Sequence, residues 1–246
     1  MEYFKILYRD ENVISIDKPA GVIVFSEGKS GEKILRQVQG KTLIDYLLEK
    51  LPELKNVGKP PRYGIVHRLD KDTSGILVIA ENDKTLEFLQ KQFKERRVEK
   101  KYIGLVAGHL KNEKGIIETL IGRSSADRRK QKVFLPGEPD SQGKRTAATK
   151  YKVLRRFENF DLVEITPKTG RKHQIRCHFA YLGHPIVGDK VYGFKNQILP
   201  KGLKRHFLHA TYLKIKLPDG KEMEFKSELP KNLKKFLEDL KIETVK

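Results

Sequence analysis

The sequence HRLDKDTSGILVIA occupies residues 67–80 and joins a polar, charge-dense segment directly to an apolar run, Gly75–Ala80. An apolar run of this length, bounded by turn residues, is typical of a buried strand and is far too short to span a membrane. The polar side chains that precede the strand would be held by a rigid element while remaining accessible. The segment at 67–75 is therefore the first candidate for chemistry.

Asp70 is the candidate catalytic residue of this segment. It is flanked by Arg68 and Lys71, and nearby cations favour the ionised form of a carboxylate. An ionised Asp acts as a nucleophile or a general base. The alternative is a turn held by local side-chain hydrogen bonds. We prefer the turn for Asp72–Ser74, whereas spacing alone leaves Asp70 open between the two interpretations.

A second polar segment, TGRKHQIR, occupies residues 169–176. It predicts the start of a helix that runs from Gly170 to about Leu182, with His173 and Arg176 on a face that could point into a cleft. Arg suits a bidentate pair with a carboxylate or phosphate. A solvated basic face is the alternative, which we prefer for Lys172. The opposite, apolar face comprises Ile175, Phe179 and Leu182.

Strands outnumber helices in the rest of the chain and do not alternate regularly with them, which predicts the α+β class. The predicted strands cover residues 5–9, 13–17, 102–107, 115–120, 146–155, 162–166, 208–216 and 222–226. Further helices are predicted after the capping residues Thr42 and Asn82 and from Pro230 onward.

Charge is the feature that points to a partner. Lys and Arg total 51 against 32 acidic residues, a formal net charge of +19. Such an excess attracts polyanions and favours phosphate contacts. Abundant Lys and Glu also mark thermophile surfaces, but thermophily alone would raise both signs together. The balance favours nucleic acid, without distinguishing DNA from RNA or binding from catalysis.

Several kinds of protein are disfavoured by composition. Cys177 is the only cysteine, so an internal disulfide and a cysteine-built zinc site are excluded. The histidines show no ligand spacing supported by acids, so no metal site is predicted. The start, MEYFK, lacks the basic and then apolar form of a signal peptide. We therefore expect a cytoplasmic protein with no membrane partner.

Residues 67–75 resemble the HRLDxxTSG signature of RluA-type RNA pseudouridine synthases. Further blocks follow in the order of that family and span most of the chain. One block would be a weak signal, but several in order make chance similarity very improbable. These blocks are DKPAG at 17–21, KKY at 100–102, TGRKHQIR at 169–176, GHPI at 183–186, GD at 188–189, YG at 192–193 and LHA at 208–210.

The resemblance implies the pseudouridine synthase fold: a mixed, mainly antiparallel central sheet with flanking helices and a central active-site cleft. We expect one catalytic domain over residues 1–246, either undivided or made of two subdomains that share one sheet. Many relatives carry an RNA-binding S4 domain before the catalytic domain. Because the first predicted strand begins at residue 5, we expect no such domain here.

The resemblance also implies roles for individual residues. Asp70 would be the catalytic carboxylate, Arg176 would pair with it, and Tyr102 would stack against the target base. Arg68 would occupy the space left when the uridine leaves its stack. The basic run at 128–130 has a solvated loop as its alternative, but in this family we favour a flexible RNA-gripping loop. The full set of expected RNA contacts is His67, Arg68, Thr73, Arg128, Arg129, Lys130, Arg171, Lys172 and His173.

The implied activity is isomerisation of specific uridines in ribosomal RNA, transfer RNA or both. The reaction exchanges no electrons and donates no group, so we expect no cofactor, no metal and no small-molecule cosubstrate. We expect a monomer. The target uridine, the number of sites and the atom that Asp70 attacks stay open. The alternative class is a non-catalytic RNA-binding or ribosome assembly factor on the same fold; a metal-dependent nuclease would need clustered carboxylates, for which Asp70 and Asp72 are thin support.

Overall fold

The computed structural model describes residues 4–26, 40–194 and 202–241. The chain divides into two compact units. One comprises the chain up to Glu99 together with Tyr212–Ser227, and the other comprises Lys100–Thr211 and the chain from Glu228 onward. Both units combine mostly antiparallel strands with short helices, which confirms the α+β class. One shared sheet with a central cleft stays a prediction.

The first unit is built around the strand that the sequence predicts to be buried. β3 (Ser74–Ala80) is buried along its whole length and pairs antiparallel with β2 (Val13–Lys18). β2 pairs in turn with β1 (Lys5–Arg9). β9 (Leu208–Lys216) follows β3 in the strand order, and its part from Tyr212 onward belongs to this unit and pairs with β10 (Glu222–Lys226).

Two helices of the first unit begin where their capping residues predict. α1 (Leu43–Lys50) starts with a capping box between Thr42 and Asp45, and α2 (Asp83–Lys94) starts after Asn82. Such caps satisfy N–H groups that a helix start leaves unpaired. A short 3₁₀ helix follows α1. The apolar core joins the strands to α2 and comprises Val13, Ile76, Val78, Leu89, Leu213, Ile215, Leu217 and Phe225.

In the second unit, consecutive strands of the order β4-β8-β7-β5-β6 pair antiparallel. β6 was not predicted, because it has only four residues and one of them is a lysine. The helices α3 (Gln174–Tyr181) and α4 (Lys231–Glu238) each contribute to an apolar cluster of this unit. The strands are β4 (Glu99–Ala107), β5 (Lys114–Arg123), β6 (Gln131–Phe134), β7 (Arg145–Phe157) and β8 (Phe160–Pro167).

His178 ties α3 to the strands of the second unit. Its side chain is fully buried, and its ring nitrogens lie 3.1 Å from Thr119 Oγ1 and 2.9 Å from Thr149 Oγ1. Because burial disfavours the charged imidazolium, the pKa of His178 falls to about 4. The ring is therefore neutral in the folded protein at neutral pH.

Mild acid should weaken the folded protein through His178. An unfolded histidine, with a pKa of about 6.5, takes up a proton below that pH, whereas the folded protein resists protonation down to about pH 4. Stability that is present above the unfolded pKa is thus lost as the pH falls toward 4. Urea unfolding should give a free energy about 2 kcal/mol lower at pH 5 than at pH 7 from this group.

His178→Asn should flatten the pH dependence of the unfolding free energy. A profile of His178→Asn that parallels the wild type would assign the acid sensitivity to other groups.

Candidate active site

The segment at 67–75 forms a fixed turn before β3. The N–H of Thr73 donates to the carbonyl of Asp70 at 3.1 Å. Gly75 follows with a φ of +117°, which glycine adopts without steric cost. Thr73 is 2% exposed, whereas Asp70 is half-buried and Lys71 is exposed. The burial of Thr73 supports the turn interpretation for that residue and disfavours the RNA contact expected of it.

A fully buried lysine supports the turn that carries Asp70. Lys18 Nζ donates to the carbonyl oxygens of Pro19 at 2.7 Å, Val22 at 2.9 Å and Lys71 at 3.1 Å. A buried charge is costly unless it is hydrogen-bonded, and these carbonyls supply that compensation. The DKPAG block, to which the sequence assigned no chemical role, therefore fixes the backbone next to Asp70.

His67 and Arg68, the two residues before Leu69, differ in their contacts and exposure. The ring of His67 stacks on Phe93, with centroids 4.7 Å apart, and its Nε2 accepts a hydrogen bond from the N–H of Val78 at 3.1 Å. These contacts explain His67 by packing. Arg68 is exposed, and its guanidinium carbon lies 4.9 Å from the centroid of the Phe25 ring. Arg68 therefore presents its charge at the surface of the first unit.

In the second unit, the helix predicted from Gly170 begins only at Gln174. His173 adopts a left-handed conformation with a φ of 55°, which interrupts any helix through it. The Gln174 side chain holds the preceding loop, because its Oε1 accepts hydrogen bonds from Thr169 Oγ1 at 2.6 Å and from the N–H of Arg171 at 3.0 Å. The predicted helical face shared by His173 and Arg176 is therefore wrong.

Arg176 forms a buried bidentate ion pair with Asp189. Arg176 Nε donates to Asp189 Oδ2 at 2.6 Å and Nη2 donates to Oδ1 at 2.8 Å. Burial opposes ionisation of Asp189, but the Arg176 guanidinium and two backbone N–H groups outweigh it, so its pKa lies below the ordinary value. Asp189 uses two of the five guanidinium donors. The pair therefore holds the Arg176 guanidinium in one orientation.

Tyr192 extends this network toward His173. Its ring centroid lies 5.1 Å from the Arg176 guanidinium carbon, and its hydroxyl accepts a hydrogen bond from the N–H of Gln131 at 2.7 Å. His173 Nδ1 lies 3.1 Å from the same hydroxyl. His173 thus helps to order the loop before α3. The neighbouring Lys172 is exposed, as the solvated-face interpretation expects.

Tyr102 and Lys100 lie two residues apart on β4 and therefore on the same face. Tyr102 pairs with Ile165 of β8 and packs against the cluster that contains Ile165. Lys100 Nζ lies 3.9 Å from where a Cβ on Gly170 would be. Burial lowers the pKa of Lys100 to about 8. The KKY block is therefore placed beside the loop that precedes α3.

The basic run at 128–130 lies in the turn between β5 and β6, whose strands pair through Arg123 and Gln131. The N–H of Lys130 donates to the carbonyl of Asp127 at 2.9 Å and closes a hairpin turn, while the flexible RNA-gripping role expected of this run stays a prediction. Arg129 donates two hydrogen bonds to the Asp127 carboxylate, which lowers the pKa of Asp127 to about 2. The charge of Arg129 is thus balanced locally.

The sequence-predicted residues divide between the units. His67, Arg68, Asp70 and Thr73 belong to the first, and all the others belong to the second. A single site that unites Asp70, Tyr102 and Arg176 stays a prediction. Within the second unit, the structure brings Arg176 and His173 together through Tyr192.

Comparison with known proteins identifies the family of this chain. Residues 12–181 match the family described as RNA pseudouridylate synthase. The chain belongs to this family. The matched region includes the turn with Asp70, the strand with Tyr102 and the helix with Arg176. The enzyme is therefore an RNA pseudouridine synthase.

Relatives of this synthase share most of its length. An uncharacterized RNA pseudouridine synthase of Aquifex aeolicus is 39% identical over 238 residues, which cover 93% of this chain and 70% of the relative. Ribosomal large subunit pseudouridine synthase D of Borreliella burgdorferi is 39% identical over 234 residues, covering 94% of this chain and 67% of the relative. Human RNA pseudouridylate synthase domain containing 1 has a similar solved structure, with a TM-score of 0.73 and 29% identity over 93% of this chain and 84% of that chain.

Sequence reasoning missed several residues that shape the synthase. Lys18, Gln174, Asp189 and Tyr192 all lie in the quoted blocks, but no role was assigned to any of them. Asp189 had a usable signal, because an acid amid the apolar stretch PIVGDKV needs a cationic partner if it is buried. No helix within the described part of the chain is long and apolar enough to cross a membrane.

Proposed function

We propose that the synthase isomerises uridine in ribosomal RNA of the large subunit, with Asp70 as the catalytic carboxylate. The observation that carries the proposal is the turn at 67–75, which anchors a half-buried Asp70 against β3 within the region that matches the family. The substrate is supported by the relatives, of which the one from Borreliella burgdorferi is named for the large ribosomal subunit. A net charge of +19 suits a long RNA.

The reaction breaks the bond between uracil N1 and ribose C1′, turns the base, and joins C5 to C1′. The hydrogen on C5 then leaves as a proton and N1 gains a proton, so the overall change is an isomerisation and a label at C5 is released. An ionised Asp70 attacks C1′ or C6 or abstracts a proton, and each route needs the carboxylate beside the glycosidic bond. Tyr102 stacks on the extracted base. Arg68 fills the vacated place in the stack, which offsets part of the few kcal/mol that base extraction costs.

Arg176 pairs with Asp70 in this proposal and keeps the carboxylate ionised and oriented. The Asp189 pair supports this role, because it fixes the guanidinium plane before the substrate arrives. Preorganised charge of this kind costs no reorganisation during the reaction. Asp189 is thus a positioning residue for Arg176.

The test is tritium release from RNA labelled at uracil C5, performed in EDTA. Unmodified transcripts of large-subunit ribosomal RNA and pooled transfer RNA are assayed separately. Release from the ribosomal transcript alone is the expected result. Release from transfer RNA alone would overturn the substrate, and tight binding without release from either RNA would favour the assembly-factor alternative.

The hairpin turn at 128–130 should contribute unequally to RNA binding. Since Arg129 is paired with Asp127, we expect Arg128→Gln with Lys130→Gln to lower the slope of log K against log salt concentration by about 2. Arg129→Gln should change the slope by less than about 1. Filter binding over a series of KCl concentrations gives these slopes. Equal slopes in the wild type and all variants would show that residues 128–130 form a solvated turn that does not bind RNA.

A monomeric state and a cytoplasmic location complete the proposal. The proposed mechanism needs no residue from a second copy of the chain, and the relatives from Aquifex aeolicus and Borreliella burgdorferi are bacterial proteins, whose ribosomal RNA is made in the cytoplasm. Sedimentation equilibrium of the RNA-free enzyme tests the first statement.

A further inference from the structure

Two arginines of the first unit lie against one aromatic ring. The guanidinium carbons of Arg62 and Arg68 are each 4.9 Å from the centroid of Phe25. Phe25 is only 3% exposed, whereas both arginines are exposed. Arg68 already has a proposed role, but Arg62 lies outside every block that the sequence singled out.

The ring and the Arg68 backbone are both anchored. Phe25 follows Ile23 and Val24, whose carbonyls accept hydrogen bonds from Leu43 at 2.8 Å and Ile44 at 3.1 Å, at the start of α1. Arg68 lies between His67, which accepts a hydrogen bond from β3, and Leu69, which is 4% exposed. Neither segment therefore depends on the other for its position.

The Arg62 segment is fixed in its own way. The N–H of Arg62 donates to the carbonyl of Lys59 at 3.1 Å, and its carbonyl accepts a hydrogen bond from Ile65 at 3.0 Å. Ile65 then forms a bridge with Ile79 of β3. Three independently anchored segments thus converge on the Phe25 ring, so the spacing of the two arginines is set by the fold.

The arrangement holds two like charges close together at the surface. Both guanidinium groups touch one ring, so they lie no more than about 10 Å apart, roughly one Debye length at physiological salt. Two exposed guanidinium groups at this spacing contribute positive potential at one place on the surface, which attracts a polyanion. Arg presents planar donors that match phosphate groups.

We propose that Arg62 is a second RNA-binding arginine, which contacts a backbone phosphate beside the nucleotide whose place Arg68 fills. Phe25 is the positioning residue for the side chains, because both guanidinium groups lie against its ring, whereas the backbone of each segment is held separately. This inference rests on the proposed function for the role of Arg68. The contact between Arg62 and RNA can be measured by binding alone, without turnover.

The test compares Arg62→Gln, Arg62→Lys and Phe25→Leu with Lys84→Gln, which removes one exposed charge from α2. Affinity for the ribosomal transcript is measured by filter binding over a series of KCl concentrations. Arg62→Gln should weaken binding about tenfold and lower the salt slope by about 1. Arg62→Lys should keep the slope, and Lys84→Gln should lose less affinity than Arg62→Gln. If Arg62→Gln matches Lys84→Gln, Arg62 is not an RNA contact.

Phe25→Leu tests the positioning role, with a thermal melt to confirm that the variant is folded. It keeps both charges, so the salt slope should stay while the single-turnover rate of tritium release falls about tenfold. In the Phe25→Leu background, Arg62→Gln should then lower the single-turnover rate by a smaller factor than it does in the wild type. The role of Phe25 would be overturned if Phe25→Leu kept the wild-type rate and Arg62→Gln lowered the rate by the same factor in both backgrounds. A wild type that binds but releases no tritium would overturn the proposed function, while the Arg62 binding result would still decide this inference.

Discussion

Asp70→Asn should reduce single-turnover release of tritium at least about a thousandfold, because the amide cannot act as nucleophile or base. RNA affinity should stay near that of the wild type. The change is nearly isosteric, and the backbone at Asp70 is held by Thr73 and, through Lys71, by Lys18. The melting temperature should therefore change little.

The matched control is Asp72→Asn, the same chemical change two residues along the same turn. We expect this variant to turn over at a rate within a few fold of the wild type. Comparable losses in the two variants would show that the turn, and not the Asp70 carboxylate, is what catalysis needs. Normal turnover in Asp70→Asn would remove Asp70 from the mechanism.

Replacement of Arg176 should abolish activity and, unlike replacement of Asp70, also destabilise the fold. Arg176→Ala leaves the buried carboxylate of Asp189 without its cation, a change that costs about 3–5 kcal/mol in comparable buried pairs. Arg176→Lys keeps the charge but loses the bidentate geometry. We therefore expect Arg176→Lys to fold with a smaller loss of stability and to lose at least about a hundredfold in rate.

Arg129 is the control that the chain itself provides. It makes a bidentate pair with Asp127 of the same chemistry, but its side chain is 85% exposed, against 7% for Arg176. Arg129→Ala should leave the free energy of unfolding close to that of the wild type, because solvent-exposed ion pairs contribute little to stability. Urea unfolding and single-turnover assays on the arginine variants of both pairs show whether an effect depends on burial of the pair or only on loss of an arginine. Equal effects at the two arginines would contradict the roles assigned to the buried pair.

Patterns of local sequence predicted most of the secondary structure. The apolar run before Ala80 became β3, and Thr42 with Asp45 became the capping box of α1. These features depend on neighbours in the chain, so the residues themselves carry the information. The predicted start of α3 was wrong. His173 is left-handed and contacts Tyr192, which is far away in sequence, and the Gln174 side chain holds the loop through Thr169. Neither contact follows from a helical spacing pattern.

The chemistry of the candidate site followed from residue types in order along the chain. The charge of +19 favoured a nucleic acid partner, and the resemblance carried by the HRLDKDTSG, KKY and TGRKHQIR blocks implied an RNA pseudouridine synthase without any coordinates. The comparisons bear out that assignment of family and activity.

Only the tertiary structure revealed which residues hold the candidate groups in place. Lys18 is separated from Lys71 by 53 positions, and Asp189 from Arg176 by 13. Phe25 meets Arg62 and Arg68 only because three separate segments end at its ring. Residue type and local order therefore determine what a group can do, since chemistry belongs to the side chain. Burial and partner choice determine how the group is held, because both arise from contacts between segments that local sequence does not relate.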